Sequence, residues 1–209
     1  MTNILTSTTP SVQYLCKKDK RLAKVISAIG DISYEPYTDH YAHLINSIIG
    51  QMLSNKVADV IKTRFLELCK GKVTPRRVKA LTIDDMRSIG LSRSKASYIH
   101  NLTAANIDFE ELKGLPDEEV IKKLTAIRGI GNWTAKMFLI FDLDRQNVLP
   151  FEDGAFLQTY KWLYKTDDVS KMAIEKKCKK WAPYSSIAAR YFYEALDRGM
   201  PKEVFKLGK

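Results

Sequence analysis

The sequence is poor in cysteine. Its three, Cys16, Cys69 and Cys178, lie far apart and are odd in number, so neither a disulfide framework nor a metal-ligand spacing joins them. That pattern predicts a reducing, intracellular setting, cytoplasm in a prokaryote or nucleus in a eukaryote, with no feature to choose between the two. Long apolar runs are also missing. The N-terminal stretch MTNILTSTTPSVQYLCKKDKRLA lacks the unbroken apolar core of a signal peptide. The longest candidate, Leu44 to Ile49, is interrupted by Asn46 and Ser47 and is too short to cross a bilayer, so a soluble protein is expected. No segment alternates convincingly as a strand would. Acidic residues are in deficit, 24 against 34 basic, leaving a net charge of +10 and a pI near 9.4. Such an excess favours a polyanionic partner, nucleic acid before anionic membrane, against the plainer reading of a solubility surplus.

What is present is helical spacing. Thr38 or Asp39 can cap a helix carrying Tyr41, Leu44, Ile45, Ile48 and Ile49 on one face, with Gly50 near its end. Asn55 opens a second, with Val57, Val60, Ile61, Phe65 and Leu68, stopped by Gly71. Pro75 starts a short third. The segment TIDD, Thr82 to Asp85, has capping-box spacing ahead of a helix that ends at Gly90. Ser92 caps the next, Pro116 and Asp117 begin another, and Asn132 opens one through Ala135, Phe138, Leu139 and Ile140. Asp153 to Tyr164, a basic helix, and Ser185 to Leu196 complete roughly nine or ten helices in an all-α domain of 209 residues.

In RGIGNWTAKMF, from Arg128 to Phe138, Gly129 and Gly131 stand between two of these helices. A dinucleotide fingerprint would need a third glycine and a preceding strand, but Thr134 and a helix occupy those places. A helix, a two-glycine turn and a helix form a helix-hairpin-helix. There both glycines can take positive φ and expose backbone N–H groups at a helix start, where a phosphate oxygen approaches without meeting a Cβ. Thr134 and Lys136 could add side-chain donors. A plain turn between helices is the competing reading.

Four segments in order resemble one family: IIGQMLSNKVA (Ile48 to Ala58), LTAIRGIGNWTAKMF (Leu124 to Phe138), VLPFEDGAFL (Val148 to Leu157) and WAPYSSIAARYFYEAL (Trp181 to Leu196). The family is the helix-hairpin-helix (HhH-GPD) DNA glycosylases, in the alkylbase branch similar to 3-methyladenine DNA glycosylase II, and the resemblance spans roughly Tyr41 to Leu196. It implies an all-α fold of two helical lobes with an active-site cleft between them. One lobe would be residues 38–147 and the other 1–37 plus 148–209, together a single catalytic domain without the extra N-terminal β domain of some relatives. It also implies a monomer that acts on double-stranded DNA containing damaged bases, in base excision repair, with no membrane partner.

The same resemblance assigns roles. Asp153, which alone would read as a turn or N-cap residue, takes the place of the catalytic carboxylate, with Glu152 as its neighbour. Trp133 stands where bifunctional relatives carry a nucleophilic lysine, which implies a monofunctional enzyme that uses water and leaves an abasic site. Trp133, Met137 and Tyr184 match positions lining or bordering the base pocket. Met52 matches the wedge that enters the gap left by the flipped nucleotide, and Gln51 a contact to the opposing strand. Arg128 replaces the usual proline of the hairpin and offers a further phosphate contact. Ser185 replaces a common arginine. No cofactor is required, and Cys178, standing alone, does not supply the cysteine cluster of relatives with an iron–sulfur centre. The backbone carbonyls of Thr125, Ile127 and Ile130 match those that hold Na+ or K+ in such hairpins.

Lys56, Lys62, Arg64, Arg93, Lys95, Lys176, Lys177, Lys179 and Lys180 could extend a phosphate track. His40 and His43 lack a third metal ligand and read as capping or surface residues. Trp181 and Phe192 read as core. Two other functions remain open: a helix-hairpin-helix module that binds DNA without catalysis, and a glycosylase for oxidised or deaminated bases.

Overall fold

The computed structural model describes residues 2–205. Among them are thirteen α-helices and one two-stranded antiparallel sheet. In chain order these are β1 (Asn3–Leu5), α1 (Pro10–Lys18), α2 (Lys20–Ile29), β2 (Ile32–Tyr34), α3 (His40–Gly50), α4 (Asn55–Leu68), α5 (Pro75–Lys79) and α6 (Ile83–Ser88). There follow α7 (Arg93–Ala105), α8 (Phe109–Gly114), α9 (Asp117–Thr125), α10 (Asn132–Phe141), α11 (Gly154–Tyr164), α12 (Lys171–Cys178) and α13 (Ser185–Asp197). No described helix is long and apolar enough to cross a membrane. The chain forms two compact units: one joins the N-terminal stretch up to Pro36 to the stretch from Asp144 onward, and the other is Tyr37–Leu143.

The first unit is built on aromatic packing. Phe156, Trp181 and Phe192 are fully buried, with ring centroids 5.2–6.2 Å apart, which places Trp181 and Phe192 in the core as expected. Thr159 Oγ1 donates to the Phe192 carbonyl at 3.1 Å, fixing α11 against α13. A buried carboxylate, Asp19, caps α2 by accepting from the Arg21 and Leu22 N–H groups. It also receives Tyr164, Trp181 Nε1 at 3.0 Å and Lys180 Nζ at 2.9 Å. Burial alone would raise the Asp19 carboxyl, but these donors outweigh it and hold the group below its ordinary range. Lys180 is therefore an internal partner rather than part of a phosphate track.

In the second unit α3 packs on α4, α7 and α10, and α9 on α10. The capping signals are realised: Asp39 accepts from Ala42 N–H, and Thr82 and Asp85 make both bonds of the capping box. His40 and His43 are not surface residues. Their Nδ1 atoms both contact the buried Asp142 carboxylate at the end of α10, which ties α3 to that helix. Burial raises the Asp142 carboxyl despite the two imidazoles. No group of three or more His, Cys, Asp or Glu among the described residues could hold a metal ion.

Two features depart from the sequence expectation. β1 and β2 pair Asn3 with Tyr34 through Leu5 with Ile32; three residues are too few for alternation to be visible. Helices α1, α2 and α8 exceed the nine or ten expected. Of these α2 carries a buried 3-4 pattern, Leu22, Val25, Ile26 and Ile29, whereas α8 is a single capped turn with one buried residue, Leu112.

Candidate active site

Asp153 is the N-cap of α11, and its Oδ1 accepts the Phe156 N–H at 2.8 Å. Capping and a chemical role are therefore compatible, because one oxygen closes the helix and the carboxylate as a whole sits at the positive end of the helix dipole. A second donor reaches it from α13: the Tyr193 hydroxyl hydrogen-bonds the same carboxylate. Burial first, then the adjacent Asp153 charge and this bond, hold the Tyr193 hydroxyl well above a phenol's ordinary range. Tyr193 thus stays protonated as a donor. Asp153 itself is 8% exposed, while Glu152 belongs to the exposed surface.

Hydrogen bonds cross-tie the frame around this pair. The start of α13 is zipped to the segment before Asp153: Ser186 N–H donates to the Gln146 carbonyl at 3.0 Å, Val148 N–H to Ser186 Oγ at 2.9 Å, and Ser185 Oγ to Asn147 Oδ1 at 2.9 Å. Ser185 therefore serves an internal contact. Arg190, one turn before Tyr193, pairs with Asp144 at 3.2 Å and lies 3.6 Å from the Tyr34 ring centroid. Burial depresses its guanidinium despite that company. Tyr184 is half-buried at the N-cap of α13, edge-on to Tyr14 at 5.4 Å.

In the hairpin the two glycines differ. Gly129 has φ +109, and a Cβ there would come within 2.2 Å of the Tyr98 ring. Backbone and packing both demand glycine. Gly131 does not take positive φ: it is extended at φ −99, ψ 177, as the N-cap of α10, with no side chain capping the helix. A Cβ at Gly131 would meet nothing within 4 Å. No neighbour among the described residues requires glycine there, and no side chain caps the helix start. Arg128 is exposed, and its carbonyl accepts from Asn101 Nδ2 at 3.0 Å. Lys136 and Trp133 are half-buried. Thr134 is 1% exposed, so its hydroxyl is no surface donor; the turn of α10 carries it inward, beside Ala135 and Phe138 in the core. Met137 is buried as well.

Between α3 and α4 the chain turns at Met52. This residue is 100% exposed and has φ +57. At full exposure Met52 makes no buried packing contact, and a left-handed conformation costs a non-glycine residue about 1–2 kcal/mol. The Gln51 side chain, expected on the opposing strand, has its Nε2 on the Gly129 carbonyl at 3.0 Å. Lys95, read as a track residue, turns inward to the Ile49 and Gln51 carbonyls. Neither Tyr193 nor these inward bonds had a signal in the sequence.

One unit thus carries a helix-hairpin-helix with a two-glycine turn, and the other carries a carboxylate held by two donors at a helix N-terminus. The chain belongs to the HhH-GPD superfamily of base excision DNA repair proteins, whose family model matches residues 45–183. It is 30% identical over 204 residues to DNA-3-methyladenine glycosylase 1 of Schizosaccharomyces pombe, covering 91% of this chain and 89% of that one. Among solved structures it is similar to DNA-3-methyladenine glycosidase of Bacillus halodurans, with a TM-score of 0.81 and 33% identity over 92% of each chain. It is also similar to the S. pombe 3-methyladenine DNA glycosylase in complex with abasic DNA, with a TM-score of 0.82 and 29% identity over 90% of this chain and 97% of that one.

Proposed function

We propose that this protein is a monofunctional DNA glycosylase that excises alkylated purines, of the 3-methyladenine and 7-methylguanine type, and leaves an abasic site for base excision repair. The observation that carries the reading is Asp153: a buried carboxylate approached by the Phe156 N–H and the Tyr193 hydroxyl. Breaking the N-glycosidic bond builds positive charge on the sugar, and a fixed carboxylate stabilises that charge or orients water. An alkylated purine is already cationic and leaves without a strong general acid. A module that only bound DNA would need Asp153 only as a helix cap, which the Phe156 bond already supplies.

The base must leave the stack before its bond is reached. Met52, exposed and apolar on a fixed turn, is suited to fill the gap. The open N-terminus of α10 at Gly131 is suited to a phosphate oxygen, with Arg128 and Lys136 adding charge. The half-buried rings of Trp133 and Tyr184 offer π faces to a cationic base, and Trp133, in place of a lysine, supports hydrolysis over Schiff-base chemistry. The Thr125, Ile127 and Ile130 carbonyls are all-oxygen donors of the kind a hard monovalent cation takes. The Ile127 carbonyl accepts one bond from Ile130 N–H and keeps a second lone pair. Such an ion would fix the hairpin backbone. The protein would act on duplex DNA as a monomer.

The test is release of free base from methylated duplex DNA, with and without subsequent alkali. The proposal expects free 3-methyladenine or 7-methylguanine, and strand breaks only after alkali. Breaks without alkali would contradict the monofunctional assignment, and binding without release would contradict the glycosylase.

A further inference from the structure

Lys95 lies in the first turn of α7 and reaches the end of α3. Its Nζ donates to the Ile49 carbonyl at 2.9 Å and to the Gln51 carbonyl at 2.6 Å. Carbonyls at a helix C-terminus lack helical partners and carry the negative end of the dipole, so an ammonium is their natural complement. Withdrawal from water lowers the lysine's proton affinity below the ordinary range. On the other side of the turn, Gln51 Nε2 donates to the Gly129 carbonyl. The residue that follows these anchors is Met52, left-handed and fully exposed. A side-chain-bearing residue does not hold that conformation unless its surroundings impose it.

We propose that Lys95 is a positioning residue for the Met52 wedge. By gripping the two carbonyls that precede Met52 it fixes the left-handed turn before DNA arrives. Through Gln51 it couples that turn to the Gly129 hairpin, so the wedge and the phosphate-facing turn are set as one body. A preformed wedge avoids the ordering cost that a loose loop would meet on insertion. The inference rests on the glycosylase reading for what the wedge serves, but its geometry can be tested without catalysis.

The probe is a duplex carrying 2-aminopurine beside an abasic-site analogue, whose fluorescence rises when the neighbouring stack is opened. Lys95→Met keeps the aliphatic stem and removes the donors; Lys95→Arg keeps donors and controls for folding. Lys95→Met is expected to cut the fluorescence rise about threefold or more at saturating protein, Lys95→Arg to restore most of it, and Lys95→Met to add nothing in a Met52→Ala background. A wild-type rise in Lys95→Met, or independent, multiplying losses in the double variant, overturns the proposal. Base release from a methylated duplex is followed in parallel. Loss of the rise in Lys95→Met with no release even by wild type supports the clamp while refuting the glycosylase; release by both with unchanged fluorescence refutes the clamp alone.

Discussion

Tyr193 donates its hydroxyl to the Asp153 carboxylate, so the group proposed to face the sugar is oriented from a second helix and not only by its own N-cap bond. Removing that donor should loosen the carboxylate without removing it. A hydrogen bond to a charged group contributes about 1.5–3 kcal/mol, which corresponds to a rate loss of roughly 10- to 100-fold. Tyr193→Phe is expected to lower single-turnover excision by that factor while leaving affinity for abasic-site DNA within about twofold. A proportional loss of DNA affinity would instead mean that Tyr193 acts in binding.

The two hairpin glycines should respond oppositely. Gly129→Ala meets both a positive φ and the Tyr98 ring, and is expected to cost about 2–4 kcal/mol in a denaturation curve. Gly131→Asp suits the extended N-cap geometry and should stabilise the fold by about 0.3 kcal/mol. Its charge, placed where a phosphate would sit, should weaken binding to duplexes of any sequence and flatten the salt dependence. Unchanged DNA binding in Gly131→Asp would remove the phosphate role.

Met52 should show a trade between stability and activity. Met52→Gly relieves the left-handed strain and is expected to raise stability by about 1 kcal/mol. It should also lower excision from a fully paired duplex by about tenfold, with less loss when the lesion is unpaired and flips easily. Equal excision on paired DNA would exclude Met52 as the wedge.

Asp19 sets an acid limit on the first unit. Its folded-state value is depressed below the unfolded carboxylate's, about 3.9. The stability it contributes is thus fully present above that range and is lost as the pH falls through the lower folded value. Asp19→Asn should lower stability near pH 7 by about 2–3 kcal/mol and shrink the difference from wild type as the pH approaches 3. A constant difference across that range would contradict the ionised network.

Much of the fold was legible because its signals are local. Asp39, Thr82, Ser92 and Ser170 cap helices with their own side chains, and such bonds span three residues of sequence. The two-glycine turn and Asp153 as a helix cap were legible for the same reason, whereas the chemical role of Asp153 was implied only by the family resemblance. What the sequence hid depends on tertiary approach. The Tyr193 phenol meets Asp153 across two helices, and Asp142 gathers His40 and His43 from a distant helix. Spacing could not tell that Gly131 is extended and Gly129 left-handed, nor that Thr134 points inward, because the rotation of α10 is set by its core face. Lys95 and Lys180 read as surface charge because a lysine's long stem hides where its ammonium ends.

The most direct test compares wild type with Asp153→Asn on a duplex bearing one 3-methyladenine or 7-methylguanine, scored by single-turnover release of the base. Asparagine is an equally good N-cap, so α11 should stay closed and binding to abasic-site DNA should persist. The account predicts a fall in excision of at least about 100- to 1,000-fold with that binding retained. Excision at the wild-type rate by Asp153→Asn would contradict it.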